Sequence, residues 1–184
     1  MALSNLLTGT QVYLTSLTRH DMPVVAEWYQ NTEFMRLFDS GPAYPKTEET
    51  LIRWLEEDEK KNTIFPFAVR RVENGLLIGL VVIDDVEWNN RVGGLAIGLG
   101  DSAHWGKGYG SEAVQLALAF AFNELNLHRL QLGVFSYNKR AIALYEKLGF
   151  QKEGVHREYI LRDGRRFDIY LYGLLRPEWE SSRE

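Results

Sequence analysis

The strongest constraint on this chain lies between Gly93 and Glu124, where GGLAIGLGDSAHWGKGYG runs directly into SEAVQLALAFAFNE. An apolar run suited to a strand ends at Ile97 and Leu99, with Gly98 and Gly100 interleaved. Gly106, Gly108 and Gly110 then recur at every second position, with Lys107, Tyr109 and Ser111 between them. Glycine reaches positive φ freely and carries no side chain, so backbone N–H groups can close around an anion. A helix starting near Gly110 would aim its unpaired N–H groups and the positive end of its dipole at the same point. Strand, glycine turn and helix together describe a phosphate cradle. The alternative is a glycine-rich connection that holds no ligand.

Two familiar cradles do not fit. A Walker loop places four residues between its first glycine and the Gly-Lys pair, then Ser or Thr. Here five residues separate Gly100 from Gly106, and Gly108 follows Lys107, so no hydroxyl is placed for magnesium. The dinucleotide fingerprint is G-x-G-x-x-G, whereas this turn reads G-x-G-x-G. The run Trp105-Gly106-Lys107-Gly108-Tyr109-Gly110 does resemble the acetyl-CoA loop of the GNAT N-acetyltransferases, Gln/Arg-x-x-Gly-x-Gly/Ala. Trp105 stands in place of the usual Gln or Arg, a departure similar to that of the RimJ/RimL-like branch, which contains ribosomal-protein and polyamine acetyltransferases.

A second segment carries the same resemblance. SYNKRAIALYEKLGF, from Ser136 to Phe150, begins with Asn138 as a helix cap and ends at Gly149. Ala141, Tyr145 and Leu148 recur at i, i+4 and i+7 on one helix face. The family's second signature has Asn, then Ala three on, Tyr four further, and Gly-Phe after another three; all are matched here. The resemblance implies that Asn138 helps hold the pantetheine arm of acetyl-CoA and that the Tyr145 hydroxyl faces its sulfur. Read from the residues alone, Asn138 is a helix cap and Tyr145 a core aromatic, and both pairs of roles are compatible.

The remaining elements follow in order. Val12 to Leu17 alternates as a first strand, and Thr18 with Asp21 forms a capping box before a helix carrying Val24, Val25, Trp28 and Tyr29. Phe34 to Pro45 is apolar but irregular, either an acceptor-site wall or packing. Thr47 caps a second helix with Leu51, Ile52, Trp54 and Leu55 on its apolar face. Phe65 to Val69 and Leu76 to Ile83 are strands joined by the Glu73-Asn74-Gly75 turn, the second buried on both faces. Asp84 to Asn90 is polar and leads to the central strand. The helix after the cradle has hardly any polar face, and Arg129 to Val134 is the next strand. That order implies a parallel crossover with its ligand at the carboxyl end. Gly154 to Arg162 and Arg165 to Leu174 flank the Asp163-Gly164 turn, and Pro177 ends the ordered chain. The tail HREYILRDGRRFDIYLYGLLRPEW is similar to the closing hairpin of the RimJ/RimL-like group, so the resemblance runs from Val12 to Trp179.

The fold class implied by the resemblance is α+β: a three-layer α/β/α sandwich around a mixed, mostly antiparallel sheet of about seven strands. Its central parallel pair splays apart. At 184 residues the chain has room for one domain with a substantial core, here residues 1–184 with the core at 12–179. No cysteine is present, so disulfides and thiol catalysis are excluded, and His20, His104, His128 and His156 show no metal-ligand spacing. A formal net charge of −4 gives no support to nucleic-acid binding. The opening MALSNLLTGT lacks the pattern of a secretory signal and no apolar run reaches membrane length, so a cytoplasmic protein is expected.

The expected reaction moves the acetyl group of acetyl-CoA to a primary amine: a protein N-terminal α-amine, a polyamine or another small amine. The residues expected at acetyl-CoA are Ile97, Gly98, Leu99, Trp105, Gly106, Lys107, Gly108, Tyr109, Gly110, Ser111 and Asn138. Tyr145 is the expected acid for the departing thiolate, and backbone N–H groups near Leu99 are the expected oxyanion donors. Lys139 or Arg140 can add charge near a phosphate. Glu158 and Asp168 are candidates for attracting the cationic acceptor. Many relatives carry a glutamate as general base in the central strand, where this chain has Gly93-Gly94. Glu87, Glu158, Asp168 and His156 are the substitutes considered, beside a water chain. A non-catalytic acyl-CoA-binding module of the same fold is the alternative, and a homodimer is left open.

Overall fold

The computed structural model describes residues 5–182; the reading of the first ten residues therefore falls in part, at Met1–Ser4, outside the described residues. Seven strands form one sheet in the order β1-β2-β3-β4-β5-β7-β6. They are β1 Val12–Ser16, β2 Phe65–Arg71, β3 Leu77–Glu87, β4 Val92–Leu99, β5 Arg129–Phe135, β6 Gln151–Arg162 and β7 Arg165–Leu175. Every neighbouring pair is antiparallel except β4 and β5. The helices are α1 Met22–Trp28, α2 Thr32–Phe38, α3 Glu48–Glu59, α4 Tyr109–Asn123, α5 Lys139–Lys147 and α6 Arg176–Ser181.

Two apolar clusters cover opposite faces of the sheet, as side chains alternate along each strand. Val69, Val81, Ile83 and Leu95 join Val114, Leu118 and Phe122 of α4 on one face. Ala68, Leu77 and Leu80 join Val25 and Trp28 of α1, Phe34 of α2, and Leu51 and Leu55 of α3 on the other. This is the three-layer α/β/α arrangement expected. α4 can be apolar nearly all round because it is buried along its length, with Ala113, Ala117 and Ala121 at 0 % exposure where it lies closest to the sheet.

The parallel pair is the exception that shapes the molecule. β4 and β5 meet only at Val92↔Arg129, Gly93↔Leu130 and Gly94↔Gln131. Beyond Gly94 each strand keeps its outer partner, β3 for β4 and β7 for β5. The inner edges therefore separate and leave a fork.

Two carboxylates tie the chain's opening to this frame. Glu112, in the first turn of α4, accepts hydrogen bonds from the backbone N–H of Thr10 (2.8 Å), Gln11 (2.7 Å) and Val12 (2.7 Å), and from the Thr10 hydroxyl (2.7 Å). Partial burial alone would raise its pKa, but these donors hold it below the usual carboxylate value. Asp21, 6 % exposed, accepts from the N–H and hydroxyl of Thr18 at 2.9 Å and from Arg70 Nη2 at 2.6 Å. The expected Thr18–Asp21 box is thus present and also reaches across to β2.

Four expectations need correction. The stretch from Phe34, read as irregular, contains α2, whose Asn31 cap accepts from Glu33 N–H at 2.8 Å; three α-helices therefore precede β2, not two. β3 does not stop at Ile83, where the sequence reading ended it, but continues through Asp84 to Glu87. The first strand stops at Ser16. Pro177 does not end the ordered chain: it lies in the first turn of α6, where a missing N–H is harmless, and Trp179 packs on Phe122 with centroids 5.0 Å apart.

Glu112→Ala removes the acceptor of three backbone N–H groups at once. We expect a loss of about 2 kcal/mol at pH 7, read by chemical denaturation. Because the folded pKa of Glu112 is lowered, its contribution is present above the ordinary carboxylate range and is lost as pH falls through the folded value. The gap between parent and variant should therefore narrow in acid.

Candidate functional site

The backbone of β4 itself lines the fork. Gly100 N–H bonds Ile78 O of β3 at 3.0 Å. Strict alternation then turns the N–H and C=O of Leu99, Ile97 and Leu95 away from β3, toward the side that β5 has left. Trp105 confirms the direction at the mouth, where its Nε1–H donates to Leu99 O at 3.0 Å. The Arg140 guanidinium lies 3.7 Å from the centre of the Trp105 ring, so strand end, loop and α5 are joined through one indole.

A cavity of about 320 Å³ opens at this mouth. Its lining includes Ile97, Gly98 and Leu99 of β4, Trp105, Gly106, Gly108, Gly110 and Ser111 of the turn, and Asn138 at the start of α5. Gly106 (φ 72°) and Gly108 (φ 90°) take the left-handed conformation that the turn requires, and Gly108 caps α4. The first N–H groups of α4 have no partners within the helix and face the turn. On the far wall, α2 presses Phe34, Leu37 and Phe38 to the strand. A Cβ at Gly98 would stand 2.8 Å from Phe38, and one at Gly100 2.1 Å from the Trp28 ring. These two glycines let α1 and α2 approach.

Nine of the eleven residues expected at acetyl-CoA thus share one cavity wall. Lys107 is exposed, and Tyr109 is partly buried against the core with Arg71 over its ring at 5.7 Å; neither lines the cavity. Asn138 does line it, while its side-chain oxygen also caps α5 by accepting from Ala141 N–H at 3.1 Å. Tyr145 lies behind the wall, 5 % exposed and edge-on to Phe150 at 5.6 Å. Burial pushes its phenol well above the usual pKa, and among the described residues its hydroxyl takes no hydrogen bond. Arg140, Ala143, Leu144 and Lys147 complete the wall from α5. Their three- and four-residue spacing marks one helix face, a signal that sequence reading used only for Ala141, Tyr145 and Leu148.

The acidic candidates lie elsewhere. Asp168 accepts from the backbone N–H of Glu158 at 2.8 Å within a β-bulge, and Glu158 is exposed with φ 52°. Neither lines the cavity, nor do Glu87 and His156. A carboxylate not singled out in the sequence also lies outside the cavity lining, but it stands opposite the residue where the fork begins. Asp84 of β3 is paired in register with Gly94, and its Oδ1 stands 2.0 Å from where a Gly94 Cβ would be. Burial, and then the charge of Asp85, raise its pKa to about 6. The readable signal was the register: an acidic residue opposite a glycine across two adjacent strands.

Comparison with known proteins agrees with this geometry. Residues 11–151 match the family model described as an acetyltransferase (GNAT) domain. The [ribosomal protein uS5]-alanine N-acetyltransferase of Escherichia coli is 27% identical over 96% of this chain and 94% of its own length. The spermidine N(1)-acetyltransferase of Vibrio cholerae is 26% identical, covering 96% of this chain and 99% of that protein. A crystal structure of the Vibrio cholerae spermidine N-acetyltransferase with CoA and spermine superposes with a TM-score of 0.86 at 27% identity, covering 94% and 99% of the two chains.

Proposed function

The chain belongs to the GNAT acetyltransferase family, and from that premise we propose that it transfers the acetyl group of acetyl-CoA directly to a primary amine in a ternary complex. The observation that carries this reading is the fork between β4 and β5 with a glycine cradle at its open end. The cradle suits a pyrophosphate: two glycines in left-handed conformation, a helix start, and Arg140 and Lys147 on the facing helix. We read the chain as one acetyltransferase unit, of the RimJ/RimL-like branch by its Trp105, working in the cytoplasm.

Bound there, acetyl-CoA supplies an activated acyl group, and the chain's own groups do the rest. The N–H groups on the inner edge of β4 are aligned to donate to an oxyanion without reorganising. Asn138 and the Ile97–Leu99 backbone are suited to hold an extended arm along the strand. Tyr145 is the acid for the leaving sulfur: at neutral pH its raised pKa keeps it protonated, and no protein acceptor competes for that proton. For the acceptor we infer an amine such as a polyamine or a protein N-terminus, entering past α2. The test is CoA release with a panel of amines that includes spermidine and an alanine-initiated peptide. The alternative, a module that binds acyl-CoA without turnover, rests on the absence of a carboxylate at Gly93-Gly94 and requires binding without release.

Two substitutions probe the machinery. Gly108→Val forces a branched side chain onto φ 90° beside Gln11, and should weaken acetyl-CoA binding at least tenfold in a calorimetric titration. Tyr145→Phe keeps the ring and its contact with Phe150, so the melting temperature and acetyl-CoA affinity should stay near parental values. The single-turnover rate should fall roughly a hundredfold; a parental rate removes Tyr145 from the chemistry.

A further inference from the structure

β4 carries no ionisable side chain: its residues are Val92, Gly93, Gly94, Leu95, Ala96, Ile97, Gly98 and Leu99. An amine that arrives protonated must nevertheless lose a proton before its nitrogen can attack. A base is needed near the inner end of the fork, and the strand bordering that fork does not supply one.

The neighbouring strand does. Gly94 is the last β4 residue paired to β5, so it marks the point where the two strands part. Asp84 is its partner across the β3–β4 ladder, and paired residues carry their side chains on the same face. The Asp84 carboxylate fills the space a side chain at position 94 would take, with Oδ1 2.0 Å and Cγ 3.2 Å from the Cβ position. That face is the one covered by α2, since a Cβ at Gly98, four residues along β4, would meet Phe38 and Phe34. The carboxylate is half-buried, and among the described residues it has no ion-pair partner. A desolvated carboxylate without a cation is unfavourable for folding, and a second cause would have to retain it.

We propose that Asp84 is the general base of the acetyl transfer, standing from β3 in the place that a side chain on β4 at Gly94 would occupy. This role rests on the acetyltransferase reading above. Asp84 takes one proton from the acceptor ammonium and becomes a neutral acid. The freed nitrogen lone pair bonds to the thioester carbon, and the carbon–sulfur bond breaks with its electrons on sulfur. A second proton leaves nitrogen as sulfur acquires one, giving an amide and the CoA thiol, and Asp84 returns its proton to water. The surroundings support the assignment. Burial and the charges of Asp85 on β3 and of Asp58, at the end of α3 and paired to Lys61 at 2.9 Å, raise its pKa to about 6. It is therefore ionised at neutral pH yet basic enough to hold a proton in transit.

The test uses the full chain and whichever of spermidine or an alanine-initiated peptide releases CoA with the parent. Parental kcat/KM should fall tenfold per pH unit below about 6. Asp84→Asn should lower kcat/KM about a hundredfold at pH 7 and abolish that acid limb. The deficit should shrink toward alkaline pH, where the amine arrives neutral, and acetyl-CoA affinity should be unchanged. A thermal melt without ligands gives a second readout. With its pKa raised in the folded state, Asp84 favours the fold when protonated, so its ionisation lowers stability as pH rises from about 4 to 6. Asp84→Asn should then melt no lower than the parent at pH 8, and any advantage should vanish in acid. A parent that releases no CoA with any amine overturns the acetyltransferase reading and this role with it. An active parent whose folded Asp84→Asn variant keeps the parental rate and acid limb overturns the role of Asp84 alone.

Discussion

The molecule depends on two parallel strands that pair for three residues and then part. Had β4 and β5 stayed together beyond Gly94 and Gln131, their backbone groups would have satisfied one another and no site would exist. Unpaired strand edges inside a sheet carry an energetic penalty, because each N–H and C=O needs another partner. The penalty is tolerated because each strand is firmly held on its other side, β4 along β3 to Leu99 and β5 along β7 to Phe135. The orphaned edge is then a flaw in the sheet that leaves donors and acceptors open to an extended ligand. An extended ligand laid along it restores the missing pairing.

What covers the fork is fixed by absent side chains. Gly98 and Gly100 admit the rings of Phe38, Phe34 and Trp28 to distances that any Cβ would forbid. The same absence at Gly94 admits the carboxylate of Asp84. From Gly94 onward the even-numbered positions of β4, Gly94, Ala96 and Gly98, are therefore kept small, while odd-numbered Leu95, Ile97 and Leu99 pack on the core that includes α4. One strand thereby serves two faces with different rules: packed by its own side chains on one, and by those of other elements on the other.

Legibility in the sequence followed this division. The cradle, α4, β5 and α5 were readable because glycine spacing, apolar helix content and the Asn138 cap are local signals. β3 was readable only as far as Ile83, since Asp84, Asp85 and Glu87 at its end break the apolar run. α2 escaped because Phe34, Met35, Leu37 and Phe38 crowd a helix of two turns, too short to display its period. Lys107 and Tyr109 were grouped with the site by adjacency alone, and adjacency does not decide facing: Lys107 is exposed and Tyr109, the first residue of α4, packs on the core. The role of Glu112 in holding Thr10, Gln11 and Val12 spans about a hundred residues of sequence, and no local pattern announces it.

The two sides of the fork are built from different materials, and this explains why one half of the chain speaks more clearly than the other. The side that suits acetyl-CoA is made largely of backbone: N–H groups of β4, the left-handed turn at Gly106 and Gly108, and the first turn of α4. Backbone sites demand glycines, caps and fixed spacings, and these remain visible as motifs. The opposite side is a wall of side chains, Phe34, Leu37 and Phe38, carried on a short helix. Aromatic residues that contact a ligand are the same residues that would fill a core, so composition cannot separate the two uses. Only the cavity does so, by leaving those rings with protein on one side and open space on the other. Donor chemistry is therefore written in the sequence as geometry of the main chain. The aromatic wall is written in side chains whose meaning depends on where the fold puts them.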